Sequence, residues 1–205
     1  MATLLQLKRC LSPLGPALSG NRKVKNRNDF QRPCLLKRPP HRQDIPTLFA
    51  FLIDYVPLVG MNTIDLTQRP PRSPRVTLGG YVILPRMLDK GRAQLAGKAG
   101  DYHFNCSLDQ RFVNFAGLNA DDILRLLQEG KSDSDVLAWI RQHGKRSDFE
   151  IVAWSHFQLG RGPSDNEGRE FLSRSVQALA PDRDDIQSFF DLLDLDDFVS
   201  FGGPA

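Results

Sequence analysis

From Asn119 onward the hydrophobic positions recur at helical spacing, and each run is bracketed by residues that start and stop helices. Asn119 precedes Ile123, Leu124, Leu126 and Leu127, and the run closes at Gly130. Ser132 or Ser134 opens the next, with Val136, Leu137, Trp139 and Ile140 before Gly144. Such short links predict antiparallel helical hairpins. Ser147 with Glu150 spells a capping box ahead of Ile151, Val152, Trp154 and Phe157. Ser164 with Glu167 spells another ahead of Phe171, Leu172, Val176 and Leu179, stopped by Pro181. A last helix is expected from about Asp184 to Leu193, carrying Ile186, Phe189, Phe190, Leu192 and Leu193.

Upstream of Asn119 the pattern is weaker. Asp65 to Pro74 reads DLTQRPPRSP, where three prolines remove backbone donors and predict an extended strap. Gly79-Gly80 marks a turn, and Tyr81 to Leu84 is an apolar run compatible with a strand or with the start of a helix. Pro85 suits a first helical position; Met87, Leu88, Ala93, Leu95 and Ala96 follow at helical spacing, with Gly91 as an internal weak point. Asp101 to Cys106 is short and could be extended, and Ser107 is the expected cap of a helix with Leu108, Phe112 and Phe115, ending at Gly117. The expected fold is mainly α: a compact domain of about six short helices with a Pro-rich N-terminal strap. Trp139 and Trp154 are read as core.

Charge divides the chain at Met61. Residues 1–60 hold ten Lys and Arg against three Asp, a formal +7, so of the chain's 27 basic and 24 acidic residues the remainder holds 17 against 21, or −4. The basic character belongs to the leader. Its most apolar stretch, Ile45 to Gly60, is shorter than the roughly 20 residues a membrane span needs and is interrupted by Pro46, Asp54 and Pro57. An Arg-rich, acid-poor start fits an organellar transit peptide better than a secretory signal, but the preferred expectation is that Met61 is the true start. Residues 61–205 are then a single domain, of usual size. Cys10 and Cys34 fall in the leader and Cys106 stands alone in the domain, so a reducing, cytoplasmic location is expected. An acidic body disfavours nucleic acid as a partner.

Two clusters could carry chemistry. Arg72 and Arg75 on the strap, with Arg86 beyond Gly79 and Gly80, could capture an anion, because guanidinium groups on a stiff backbone lose little freedom on binding. The plainer reading is that the arginines tie the strap to the domain's own acids, with Asp191, Asp194, Asp196 and Asp197 as candidates. The glycines match neither phosphate-binding pattern. The second cluster is His103, Cys106 and Asp109, with Asp101, Asn105, Gln110 and Arg111 beside it. A helix starting at Ser107 would favour a Cys106 thiolate, and His103 could act as its base, but a dyad needs a bend between them. The plainer reading is a small buried thiol and a surface histidine. No cofactor or metal is expected, since paired CxxC or HxxxH spacings are missing from the sequence. A helix-turn-helix reading of Asn119 to Gly144 would set Asp121, Asp122, Glu129, Asp133 and Asp135 against phosphate.

The segments DLTQRPPRSPRVTLGGYVILPRMLDKGRAQLAG, DYHFNCSLDQRF and DLLDLDDFVSFGG together resemble a bacterial family known as a domain of unknown function (DUF 5069), over about Met61 to Ala205. The resemblance carries over no activity, cofactor or partner; it does place the start of the domain near Met61. The leading expectation is a small cytoplasmic binding or regulatory domain, with a protein or an anionic small molecule as partner and no membrane. The alternative is a small enzyme or anionic-ligand-binding domain built on Arg72, Arg75, Arg86, His103, Cys106 and Asp109.

Overall fold

The computed structural model describes residues 64–203; the leader, its two cysteines and Met61 lie outside them. Seven helices occupy the described residues: α1 (Leu84–Leu95), α2 (Ser107–Ala116), α3 (Ala120–Gln128), α4 (Asp133–His143), α5 (Asp148–Leu159), α6 (Asn166–Leu179) and α7 (Phe189–Ser200). The mainly helical expectation holds, with seven helices where about six were expected.

Capping chemistry explains most boundaries. Asn119 accepts from the Asp121 amide at the start of α3, while Ser132 with Asp135 and Ser147 with Glu150 form reciprocal boxes at α4 and α5. Four starts differ from those expected, the first being α1, which begins at Leu84 with Pro85 as its second residue. Cys106 rather than Ser107 takes the cap position of α2, with an extended backbone and no side-chain capping bond. At α6 the cap is Asp165, whose carboxylate accepts from the Gly168 amide, so the expected Ser164 and Glu167 box does not form. The last helix begins later and runs further than expected, because Ser188 with Asp191 makes a third box that was not read in the sequence.

The Asp101 to Cys106 segment is a turn, with Asn105 at φ 61°, and no strand occurs among the described residues. Gly79 and Gly80, at φ 59° and 87°, form a tight turn closed by paired bonds between Leu78 and Tyr81. Tyr81 to Leu84 then enters the centre of the molecule, every one of the four buried.

Helix α1 is the hub. It packs on α2 and α3, and the main core gathers Met87 and Leu88 with Phe112, Ile123, Leu127 and Ile140. A second cluster, with Leu172, Leu179, Leu192 and Leu195, joins α6 to α7. An apolar helix would be the ordinary occupant of such a central place. Instead α1 also buries Arg86, Asp89 and Lys90, each 3 % exposed or less. Charged groups persist there only if each is met by an opposite charge or a hydrogen bond.

Candidate functional site

Each charged residue of α1 finds such a partner on a different element. Asp89 receives the strap: the Arg72 backbone amide and Nε donate to its Oδ2 at 2.9 and 2.8 Å, and Arg72 Nη2 lies 2.7 Å from Oδ1. Arg72 also donates to Asp133 Oδ2 at 2.7 Å and to the Pro85 carbonyl at 3.0 Å. Arg92 reaches the other oxygen of Asp133 at 2.6 Å. Burial works against the charge of Arg72, but the carboxylates of Asp89 and Asp133 outweigh it and leave the guanidinium's pKa raised. For Asp133 burial again opposes ionisation, and hydrogen bonds from Arg72 and Arg92 reverse the effect and lower its pKa.

Arg86 meets α7. Its Nη1 and Nη2 donate to Asp197 Oδ2 and Oδ1 at 2.6 and 3.2 Å, and Nη1 also reaches the Arg72 carbonyl at 3.1 Å. Tyr102 donates its hydroxyl to Asp197 Oδ1 at 2.6 Å, and its ring lies 5.5 Å from the Arg86 guanidinium. Burial pushes the Tyr102 hydroxyl's pKa far up, and the charge of Asp197 pushes it further. The phenol is therefore a fixed donor. Arg75, further along the strap, contacts Asp191, donates from Nε to Asp194 Oδ2 at 3.1 Å and reaches Ser188 Oγ at 3.3 Å.

Lys90 is the group that the sequence reading missed. Its Nζ lies 2.8 Å from Asp109 Oδ1, an ion pair rather than a directed hydrogen bond, and 3.2 Å from Cys106 Sγ. Asp109 is fully buried and Lys90 nearly so. Cys106 is half-buried, while His103, three residues earlier, is exposed. The turn at Asn105 supplies a bend between them, yet the thiol's partner is the α1 lysine and not the imidazole. Helical spacing sets Lys90 on the Arg86 face of α1, four residues on, but only the packing of α2 against α1 brings Asp109 and Cys106 to it.

The diglycine turn is filled by its neighbours. A Cβ on Gly79 would sit 2.4 Å from Leu137 Cδ1, and one on Gly80 would sit 3.2 Å from Ile151 Cγ2. Ser155 of α5 donates to the Gly80 carbonyl at 2.7 Å, so the turn serves as the seat for α4 and α5. Among the described residues no three His, Cys, Asp or Glu side chains converge in a way that could hold a metal ion.

The structure thus distributes the candidate residues over three ionic joints: strap to α1 and α4, strap and α1 to α7, and α1 to α2. Two other arginines stand apart from these joints. Arg111 on α2 and Arg161 just after α5 are both partly buried, and burial lowers the pKa of each; the positive charge of Arg111 lowers that of Arg161 further. Arg161 lies 4.7 Å from the Phe189 ring centre.

Residues 68–199, well over half of the chain, match the model of the family described as Domain of unknown function (DUF5069), and the chain belongs to that family. The match runs from the strap arginines to the acidic helix α7, so it spans all three ionic joints. No curated protein matches the chain.

Proposed function

We propose that the protein is a small binding module of the bacterial cytoplasm, and that it engages a protein partner through the outer face of α5. One observation carries this reading: Phe149, Val152 and Phe157 are 82 %, 51 % and 65 % exposed on a single helix. With Ala153 and His156, also exposed, they follow the i, i+3, i+4, i+7, i+8 order of one helical stripe. Scattered exposed apolar residues are ordinary, but a continuous stripe with two phenylalanines marks an interaction surface. The opposite face of α5 is anchored by Ile151, Ser155 and Gln158, all buried, so the helix presents its stripe from a fixed position.

The alternative chemistry has less to work with. Arg72, Arg75 and Arg86 are turned onto the protein's own carboxylates, and a ligand anion would have to displace them. Cytoplasmic placement is supported by the free thiol of Cys106, which a reducing compartment preserves.

Site-specific photocrosslinking tests the reading. A benzophenone amino acid at Val152 in cells is expected to give a discrete adduct, and the same group at Glu170, exposed on α6, is expected to give none. Equal, diffuse labelling at both positions would overturn the proposal.

A second reading is favoured by Arg161, whose pKa burial and then the charge of Arg111 lower, an effect that a bound anionic small molecule would relieve. Calorimetric titration with inorganic phosphate is its test: binding that disappears in Arg161→Gln supports it, and no heat in the unaltered protein sinks it.

A further inference from the structure

The stripe on α5 has an internal symmetry that identifies its partner. Phe149 and Phe157 stand four residues before and four residues after Ala153. At a rise of about 1.5 Å per residue each phenylalanine sits about 6 Å along the axis from Ala153. When two such helices run antiparallel and cross at Ala153, Phe149 of each copy meets Phe157 of the other.

We propose that the chain forms a two-fold homodimer through an antiparallel α5–α5 contact centred on Ala153, an inference that rests on the binding-module reading above. Three features support a second copy as the occupant. A two-fold interface must be self-complementary, with residue i against j and j against i, and the stripe satisfies that at both phenylalanine positions. The residue at the crossing point is alanine, exposed, and small enough to let the two backbones approach within the usual 8–10 Å or so of packed helices. Antiparallel helices finally set the positive N-terminal end of one against the negative C-terminal end of the other.

The area is adequate. Taking about 200 Å² for a whole phenylalanine, Phe149 and Phe157 together expose roughly 300 Å² per copy. Two copies thus contribute about 600 Å² from four rings. Val152, Ala153, His156 and the flanking residues carry the total toward the 1,000 Å² or so that a specific interface needs. A dimer of modest affinity, populated at micromolar concentration, is the expected consequence.

Sedimentation velocity on the full chain over a micromolar concentration series is the primary test. The expected result is a species of twice the 23.1 kDa chain mass at the upper end. Phe149→Ser with Phe157→Ser should return it to a monomer, with helical circular dichroism unchanged. Ala153→Cys, in a background lacking Cys10 and Cys34, should give a covalent dimer on mild oxidation, because residues on the two-fold axis fall within disulfide reach. Glu170→Cys in the same background should not.

A monomer throughout the series overturns the dimer, and so does a dimer that survives the double serine variant and fails to crosslink through position 153. The crosslinker at Val152 separates the two levels of inference. An adduct of twice the chain mass supports the homodimer. An adduct of another mass, with a monomer in sedimentation, retains the binding module and rejects the homodimer. No adduct and no dimer reject both.

Discussion

Arg86 of α1 and Asp197 of α7 form a two-pronged ion pair in the interior, with contacts of 2.6 and 3.2 Å and side chains only 4 % and 7 % exposed. The pair fastens the last helix to the central one, 111 residues earlier in the chain. Its contribution is asymmetric. Burying both charges costs much of what their attraction returns, so the intact pair adds little net stability, whereas losing one partner leaves the other charged and unmet.

Arg86→Ala is therefore expected to lower unfolding free energy by about 3–5 kcal/mol, and Asp197→Asn by somewhat less, since asparagine still offers an acceptor. Urea unfolding of the two single variants and Arg86→Met with Asp197→Leu gives the check. The double variant should be more stable than the Arg86→Ala single; additive losses would mean that the two residues act independently.

Tyr102→Phe tests the third member of this joint. The hydroxyl donates to a buried carboxylate, and removing it should cost about 1.5–3 kcal/mol, the range for a hydrogen bond to a charged group. The Tyr102 ring would still pack against Arg86, so the helical spectrum should not change. A loss no larger than that of an exposed Tyr→Phe change would contradict the role given to Asp197.

Acid should loosen the strap. Asp133 and Asp191 have pKa values depressed below the ordinary 3.8; burial opposes the shift in both, and arginine and serine hydrogen bonds more than reverse it. Between the depressed values and 3.8 the unfolded chain binds more protons than the folded one, so stability falls as pH falls. Their contribution is fully present above about pH 5 and is lost progressively below about pH 4. Asp133→Asn should flatten the acid limb of a plot of melting temperature against pH. An unchanged limb would mean that other carboxylates govern it.

Gly91→Ala should destabilise, although alanine is the better helix former by about 1 kcal/mol. A Cβ there would stand 2.5 Å from Leu127 Cδ1 and 3.1 Å from the Phe104 ring, and forcing an atom into a packed core costs about 1–3 kcal/mol. A lowered thermal midpoint is the expected outcome. A raised midpoint would show that Leu127 and Phe104 give way and that α1 and α3 are not in close contact here.

Most of the helices were legible because their signals are local. Asn119, Ser132 and Ser147 cap the amides two or three residues ahead, and no distant partner is needed for that bond to form. Where two capping residues competed, local reading failed. Ser164 matched the motif, yet Asp165 one residue on took the position, and Ser188 with Asp191 was passed over in favour of an earlier start. The candidate residues show the same division. The positive strap and the acidic C-terminal segment were both visible, but the role of Lys90 was not, because it exists only when α1 and α2 are packed together.

By itself, then, the sequence determined the helical class and the composition break at Met61, which follow from periodicity and charge counted along the chain; the strap expected to be extended over Asp65 to Pro74 begins instead as a turn, with the Gln68 and Arg69 amides donating to the Asp65 carbonyl, and is irregular only from Pro70 on. Tertiary structure decided which charges meet. Pairing Asp89 with Arg72, Asp197 with Arg86 and Cys106 with Lys90 depends on distances between elements far apart in the chain, which no local pattern encodes. It also decided which apolar residues stay outside. Phe149 and Phe157 reach solvent because Ile151, Ser155 and Gln158 already fill the inner side of α5.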